Sequence, residues 1–459
     1  MDAFGSRGLG NSATDYELIA PIGYANSSRC GYCSGKASSS STNRFSYYAR
    51  ATSMSPAFYQ TLINRCWRRS GKLLYRPNPR HACCPHYTLR LDANQFRPSR
   101  DQRQAVNRFN RYILGDSYVK EAARLFPRSK AETKRRNNEF RLVERLHEAE
   151  YDGLGKPPEP AHKFTVTLED NTFTEEKYLV YENYQRVVHK EDEKQIGRRS
   201  FERFLCASPL RRGTVIDPDG RRRRLGSYHQ CYRVDGVLVA IGVLDLLPDS
   251  VSSVYFFYHE MMHEHTPGKL GAMFEISLAL EEGYRWWYSG FYIHSCPKMR
   301  YKMDFSPQYI LDPVALTWDV LDETVLRLLD QKPFVSLSLE RQAAASGDDA
   351  MDTADRGFNA SPTMDQMRDD GGEDEDRLPL LESDMPAIPS VAEMERVDLD
   401  HVGIVFNEAA GPIFRTGQTS RWHAESVRDW PSFRAAVAEL AAALGPDLVG
   451  SFCVDLTRG

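Results

Sequence analysis

Y-H-Q-C-Y-R-V-D-G-V-L-V-A-I-G-V-L, residues 228–244, decides the fold. Two strand-like runs, 228–234 and 237–244, flank Asp235-Gly236. That dipeptide favours a type I′ hairpin, because both central residues need a positive φ. V-S-S-V-Y-F-F-Y, residues 251–258, reads as a third strand. T-P-G-K-L-G (266–271) then opens a helix from about Leu270 to Glu282, with Met273, Ile276 and Leu280 on one face and Gly283 as its stop. W-W-Y-S-G-F-Y-I (286–293) supplies a fourth strand. The order of hairpin, strand, glycine-flanked helix and strand is an α/β (α+β) layout.

The 459 residues allow two or three domains, and 41% hydrophobic with 27% charged residues is the composition of an ordinary soluble chain. The net charge of -4 is a sum of opposed blocks: residues 65–150 carry 21 Lys/Arg against 9 Asp/Glu, and 341–400 carry 5 against 17. No apolar run reaches membrane-spanning length and the N-terminus lacks a secretory pattern, so the expected location is the cytoplasm, with the nucleus also open. There thiols stay reduced, and the nine cysteines point to metal or redox chemistry before disulfides.

Around the α/β unit we expect a disordered leader (1–15), a cysteine-rich module (16–96), a basic helical segment with linker (97–160), the α/β domain itself (161–335), a disordered acidic linker (336–400) and an appended tail (401–459). Within the module, Phe58, Leu62, Ile63 and Cys66 recur at helical spacing. The basic segment is helical in pattern with breaks near Gly115 and Pro127, and the tail holds one Ala-rich helix between Pro431 and Gly445.

Four motifs carry chemistry. C-G-Y-C (30–33) offers two thiols that can grip one tetrahedral ion from a turn, and R-H-A-C-C-P-H-Y (80–87) offers the complement. Adjacent side chains on extended backbone point apart, so the second pair is open among His81, Cys83, Cys84 and His86; zinc and an iron–sulfur cluster both suit such ligands. H-E-M-M-H (259–263) matches the zinc-protease pattern, but it follows a β-run directly and Pro267 leaves little room for helix, which favours a plain loop. P-G-K-L-G (267–271) at a helix start could meet an anion through Gly268 and Lys269, against the simpler reading of a capping turn. Y-I-H-S-C-P-K-M-R-Y-K (292–302) gathers three cations and two tyrosines past a strand end, suiting a carboxylate, a phosphate or a base, against a solvated basic loop.

Taken together, C-G-Y-C, Y-R-P-N-P-R-H-A-C-C-P-H-Y-T-L-R (75–90), the hairpin stretch 226–248, S-S-V-Y-F-F-Y and Y-I-H-S-C-P-K-M-R-Y-K resemble the eukaryotic arginyl-tRNA protein transferases. The resemblance implies a C-terminal acetyltransferase-like (GNAT-type) mixed sheet with flanking helices. It implies Cys30, Cys33, Cys83 and Cys84 as the zinc or iron–sulfur ligands. The activity implied is transfer of arginine from arginyl-tRNA to the α-amino group of proteins beginning with Asp, Glu or oxidised Cys, marking them for ubiquitin-dependent degradation. The partners implied are arginyl-tRNA and such proteins, with neither a membrane nor DNA. The chain departs from the family after the Y-F-F-Y strand, with His259-Glu260-Met261 in place of an Asp-Pro-like turn, and at the helix start, where Gly268-Lys269 is kept and Leu270-Gly271 follows.

Aminolysis of an activated ester needs positioning more than a covalent intermediate. Lys298, Arg300 and Lys302 are candidates to hold the acceptor's acidic side chain, with Tyr301 beside them as a further substrate-binding residue. Asp245 could pair the donor guanidinium or act as base, and Tyr228, His229, Tyr292 and His294 could relay protons or stack a terminal base. The alternatives are a CoA-dependent N-acyltransferase, which would need a pyrophosphate loop that T-P-G-K-L-G fits poorly, and a non-catalytic metal- and RNA-binding regulator.

Overall fold

The computed structural model describes residues 16–26, 30, 32–33, 44–192, 196–346, 377–406 and 412–457. The chain opens with β1 (Glu17–Asn26), β2 (Phe45–Ser53), α1 (Pro56–Ile63), β3 (Arg68–Ser70), β4 (Leu73–Pro77) and β5 (Tyr87–Asp92). Ser55 caps α1 by accepting the Phe58 N–H, and Pro56 occupies the first turn, where no N–H is needed. Next come α2 (Arg100–Leu125), α3 (Lys130–Asn138) and α4 (Leu142–Leu146). The expected break appears inside α2, where Gly115 takes a φ of 75°.

The following stretch runs β6 (Phe164–Asp170), α5 (Glu175–Tyr184), α6 (Arg198–Phe201), β7 (Gly213–Ile216), β8 (Arg222–Val234), β9 (Val237–Leu247) and β10 (Ser250–Tyr258). It continues through α7 (Pro267–Glu282), β11 (Trp286–Tyr288), β12 (Phe291–Tyr292), β13 (Gln308–Leu311), β14 (Trp318–Val320), α8 (Glu323–Gln331) and α9 (Leu337–Ser346). The C-terminal stretch adds β15 (Arg377–Leu378), α10 (Val391–Met394), β16 (Gly403–Val405), β17 (Phe414–Arg415), α11 (Phe433–Leu444) and β18 (Phe452–Asp455).

These elements form a mixed α/β molecule with two sheets. The larger has the order β14-β13-β5-β11-β10-β9-β8-β6, with β12 also on β5 and β7 on β8. Asp235 and Gly236 take φ of 52° and 81°, so the β8–β9 turn has the primed geometry that the dipeptide predicts. β9 is buried at every position but its first, as a central strand covered on both faces must be. Ile241 and Val243 face one core with Phe257, while Leu244 and Leu246 face another with Met273 and Ile276 of α7.

β10 and β11 are parallel, joined through α7, but they pair only from Ser250↔Trp286 to Ser252↔Tyr288. Beyond Ser252, β10 follows β9 while the chain after Tyr288 bends through Ser289-Gly290 into β12, which pairs with β5. The two strands therefore part, leaving a wedge floored by α7. The N-terminal module meets the large sheet beside it, since Leu247 and Tyr288 belong to the same core cluster as Leu62, Ile63 and Trp67.

The smaller sheet corrects the expected ends of the chain. Its order is β17-β16-β18-β1-β2-β4-β3, with β15 also on β1, so the last residues lie beside the N-terminal strands. α11 packs Val437, Leu440 and Leu444 into the cluster that holds Ile19 and Trp67. The Trp67 Nε1–H and an Arg76 N–H both donate to the Ala443 carbonyl, at 3.0 and 2.8 Å. The described residues of 401–459 are thus an integral part of the N-terminal core and not an appended tail. Within 336–400 the described residues depart from the expected disorder: α9 is helical, and Leu380, Met385, Met394 and Leu399 are buried in that core. Four widely spaced anchors leave no periodicity to read. The acidic stretch 347–376 and the leader 1–15 lie outside the described residues. Among the described residues no helix is long and apolar enough to cross a membrane.

Candidate functional site

The four thiols converge. The ligand atoms of Cys30, Cys33, Cys83 and Cys84 all lie within 4.8 Å of one another, and the Cys33 and Cys83 sulfurs are 3.8 Å apart. A tetrahedral ion with sulfurs at about 2.3 Å needs sulfur–sulfur edges of about 3.8 Å. Cys83 and Cys84 sit in bends, not in extended strand, so their adjacent side chains need not point apart. His81 is turned away to Asp384 at 2.6 Å. His86 is buried edge-on between the rings of Tyr32 and Phe291, and burial pushes its pKa down to about 3. Neither histidine joins the set.

This centre lies directly under the basic loop. Ile293 and Cys296 pack against Cys30 and Cys84, and the Ser295 hydroxyl points at the Cys84 sulfur, 3.7 Å away. The loop then forms a 3₁₀ segment, Pro297–Asp304, with Lys298, Arg300 and Tyr301 exposed. Lys302 turns inward: its Nζ donates to the carbonyls of Ser289 at 2.6 Å and Phe291 at 2.7 Å. Burial, aided by the charge of Arg68, brings the Lys302 pKa down to about 7.

Glu275 of α7 enters the wedge from below. It accepts from the Trp287 Nε1–H at 2.8 Å and from the Ser253 hydroxyl at 3.3 Å, and so ties together the two parting strands. Burial raises its pKa to about 7, against the opposing pull of those bonds and of Lys302. Nothing in F-E-I, an ordinary helical triplet, distinguishes this carboxylate. The one available signal is its setting: Glu275 follows the apolar Met273 by two positions on an otherwise buried helix.

Three expected residues belong elsewhere. Asp245 is fully buried and holds Arg69 through two bonds of 2.8 and 2.7 Å, with the Ser227 hydroxyl donating at 2.6 Å. Its carboxylate is committed to Arg69, which corrects its assignment as base or guanidinium receptor. His229 is also corrected: it is fully buried, its Nε2 lies 3.1 Å from the Leu205 carbonyl, and burial lowers its pKa to about 4. Tyr228 lies between the guanidinium groups of Arg212 and Arg224, on the far side of β9 from the loop.

Tyr292 and His294 do connect. The Tyr292 hydroxyl is 2.7 Å from His294 Nδ1, and His294 Nε2 is 2.7 Å from Asp330. Lys269 is paired to Asp101 of α2. Gly271 serves packing, since a Cβ there would come within 2.2 Å of the Phe256 ring, and Gly268 has open space. In H-E-M-M-H, His263 meets the Tyr258 hydroxyl and Glu260 meets Asn183, so the motif is a 3₁₀ connection. The basic helices are largely internally neutralised: Arg128, Arg136 and Arg145 share Glu148, while Arg135 and Arg141 share Glu144.

Two family models fit the chain on either side of this site. The N terminus of arginine-tRNA-protein transferase matches residues 28–104, and the C terminus of the same protein matches 176–312. The cysteine centre depends on the first segment, Glu275 and Lys302 on the second. Arginyl-tRNA–protein transferase 1 of Saccharomyces cerevisiae is 28% identical over 272 residues, covering 56% of this chain and 49% of the yeast protein, so the match spans about half of that relative. Its Drosophila melanogaster counterpart is 27% identical over 414 residues, covering 68% of this chain and 84% of the fly protein. An aspartate/glutamate leucyltransferase of Pseudomonas fluorescens is 26% identical over 267 residues, covering 58% of this chain and 83% of the bacterial one. The solved C-terminal domain of a putative lysylphosphatidylglycerol synthetase from Agrobacterium fabrum covers 45% of this chain and 46% of that domain at a TM-score of 0.22 and 12% identity, too faint a likeness to bear on the fold. Both family segments are present in order and meet at one wedge, and over them the chain is similar to the arginyl-tRNA–protein transferases.

Proposed function

We propose that this chain transfers arginine from arginyl-tRNA to the α-amino group of proteins beginning with Asp, Glu or oxidised Cys, marking them for ubiquitin-dependent degradation in the cytoplasm. The observation that carries the reading is the wedge between β10 and β11, where a carboxylate on α7 and a lysine from the basic loop converge. Parallel strands that part over a helix are also the feature that supports a GNAT-type fold for residues 161–335. Both segments that the family models match contribute to it.

The amine must be neutral to attack the ester carbonyl. Glu275 is suited to take its proton, because a carboxyl group with pKa near the working pH is an efficient base. Tyr292 and His294, linked to Asp330, are suited to protonate the ribose oxygen as it leaves. Lys298 and Arg300 stand exposed, where they can meet the tRNA 3′ end.

The cysteine set suits one mononuclear ion, since all four sulfurs lie within 4.8 Å of one another, whereas a cluster needs them spread around several irons. Zinc held there would supply no redox or Lewis-acid step. Cys30 and Cys84, packed against Ile293 and Cys296, would hold the basic loop in place. A transfer assay with labelled arginyl-tRNA and an Asp-starting peptide tests the reading; transfer that depends on tRNA supports it, and CoA-dependent acylation without tRNA would replace it.

A further inference from the structure

The two arginines of W-R-R-S meet opposite fates. On β3 successive side chains point to opposite faces. Arg69 reaches Asp245 and is fully paired. Arg68, equally buried, meets no acid among the described residues: its Nη1 makes one long bond of 3.3 Å to the Trp67 carbonyl, and its Nε and Nη2 have no partner there. The guanidinium lies over the rings of Tyr288 and Phe291, 5.6 and 5.3 Å from their centroids. The ionisable groups acting on it most strongly are the phenols of Tyr59, Tyr288 and Tyr75 and the thiol of Cys66, none a carboxylate.

A dry, unpaired guanidinium costs several kcal/mol, and cation–π contact recovers only about 0.5–2 kcal/mol. The neighbours make the imbalance larger. Lys302 is close enough for its charge and that of Arg68 to repel, and after two carbonyl contacts its ammonium retains a third N–H. Ser289, beside Tyr288 and two residues before Phe291, has a buried hydroxyl with no partner among the described residues. Three unsatisfied donor groups from two modules thus surround the bend where the wedge opens, and the charge of Glu275 also acts on Lys302.

We propose that Arg68, Lys302 and Ser289 form the pocket that reads the acidic side chain of the acceptor's first residue. The reading rests on the transfer activity proposed above. A carboxylate offers the planar, two-oxygen face that a guanidinium binds with parallel bonds. The sulfinate or sulfonate of oxidised Cys presents the same kind of oxyanion. An uncharged first residue leaves both cations unpaired, and a site built around hydrogen bonds rejects such a substrate strongly. The pocket needs both modules, because Arg68 comes from β3 and the other two groups from the segment after β11.

Calorimetry with the dipeptides Asp-Ala and Asn-Ala tests the pocket without tRNA, so it stands apart from a failure of the transfer reading. The wild-type protein should bind Asp-Ala and not Asn-Ala. Arg68→Gln should weaken Asp-Ala by roughly 10- to 100-fold, the range for a hydrogen bond to a charged group, while Arg68→Lys should lose less. Affinity for arginyl-tRNA should change by less than about two-fold in either variant. Equal loss of tRNA affinity would instead make Arg68 a phosphate contact, and unchanged Asp-Ala binding would overturn the proposal. Should the variants misfold, a crystal structure of the wild-type protein with Asp-Ala decides: the side-chain carboxylate belongs on Arg68, and a carboxylate bound elsewhere refutes it.

Discussion

The substitution Asp245→Asn separates a structural carboxylate from a chemical one. In the native protein the pair with Arg69 is bidentate and both side chains are at most 1% exposed. Burial alone would weaken the Arg69 cation, yet the charge and hydrogen bonds of Asp245 raise its pKa. The amide that replaces the carboxylate could still accept from Ser227, but its NH₂ group would face the guanidinium, donor against donor. Breaking one partner of such a buried pair costs about 3–5 kcal/mol, which at about 1.4 kcal/mol per tenfold shifts the folding equilibrium by roughly two to three and a half orders of magnitude. Urea unfolding followed by tryptophan fluorescence should show this loss. The double substitution Arg69→Met with Asp245→Leu should restore most of it, because no charge is left buried. At low temperature, where folded protein persists, transfer per folded molecule should fall no more than a few-fold. A variant of wild-type stability that has lost transfer would refute the argument and return Asp245 to the chemistry.

Glu275→Gln should lower the transfer rate by roughly 10²–10⁴, the range for a lost general base, and should abolish the rise in rate expected of the wild type as pH increases through about 7. The same residue bears on stability. Its folded pKa is raised, as is that of Glu439, so stability is fullest below about 4.5 and is lost as pH rises through about 7; Glu275→Gln should flatten part of that slope in urea titrations at several pH values. Deleting residues 401–459 should expose the core around Trp67 and Leu62, giving insoluble or protease-sensitive protein; a soluble, cooperatively melting truncation would contradict the shared sheet. Metal analysis should find one zinc per chain, unchanged in His81→Ala and lost in Cys33→Ser, with no visible absorption.

Local signals were the legible ones. Asp235-Gly236 fixes its hairpin through two positive φ angles, and Pro267 and Gly283 bracket α7, so the centre of the large sheet follows from neighbours in sequence. Cys30 and Cys33 announce themselves by spacing. Cys83 and Cys84 do not, because their geometry depends on bends that adjacent residues in a sequence cannot display. Arg68, Arg69 and Glu275 resemble surface charges until the sheets are assembled, since their surroundings come from distant parts of the chain; Arg69 and Asp245 are 176 residues apart. The C-terminal strands, two to four residues long, carry too little periodicity to reveal that they complete a sheet begun at Glu17.

The central claim is settled most directly by single-turnover transfer with the purified chain, tritium-labelled arginyl-tRNA and matched peptides beginning with Asp or Asn. The account predicts tRNA-dependent labelling of the Asp peptide at its α-amino group and none of the Asn peptide. Labelling of both peptides alike, or of neither by metal-replete, folded protein, would contradict it.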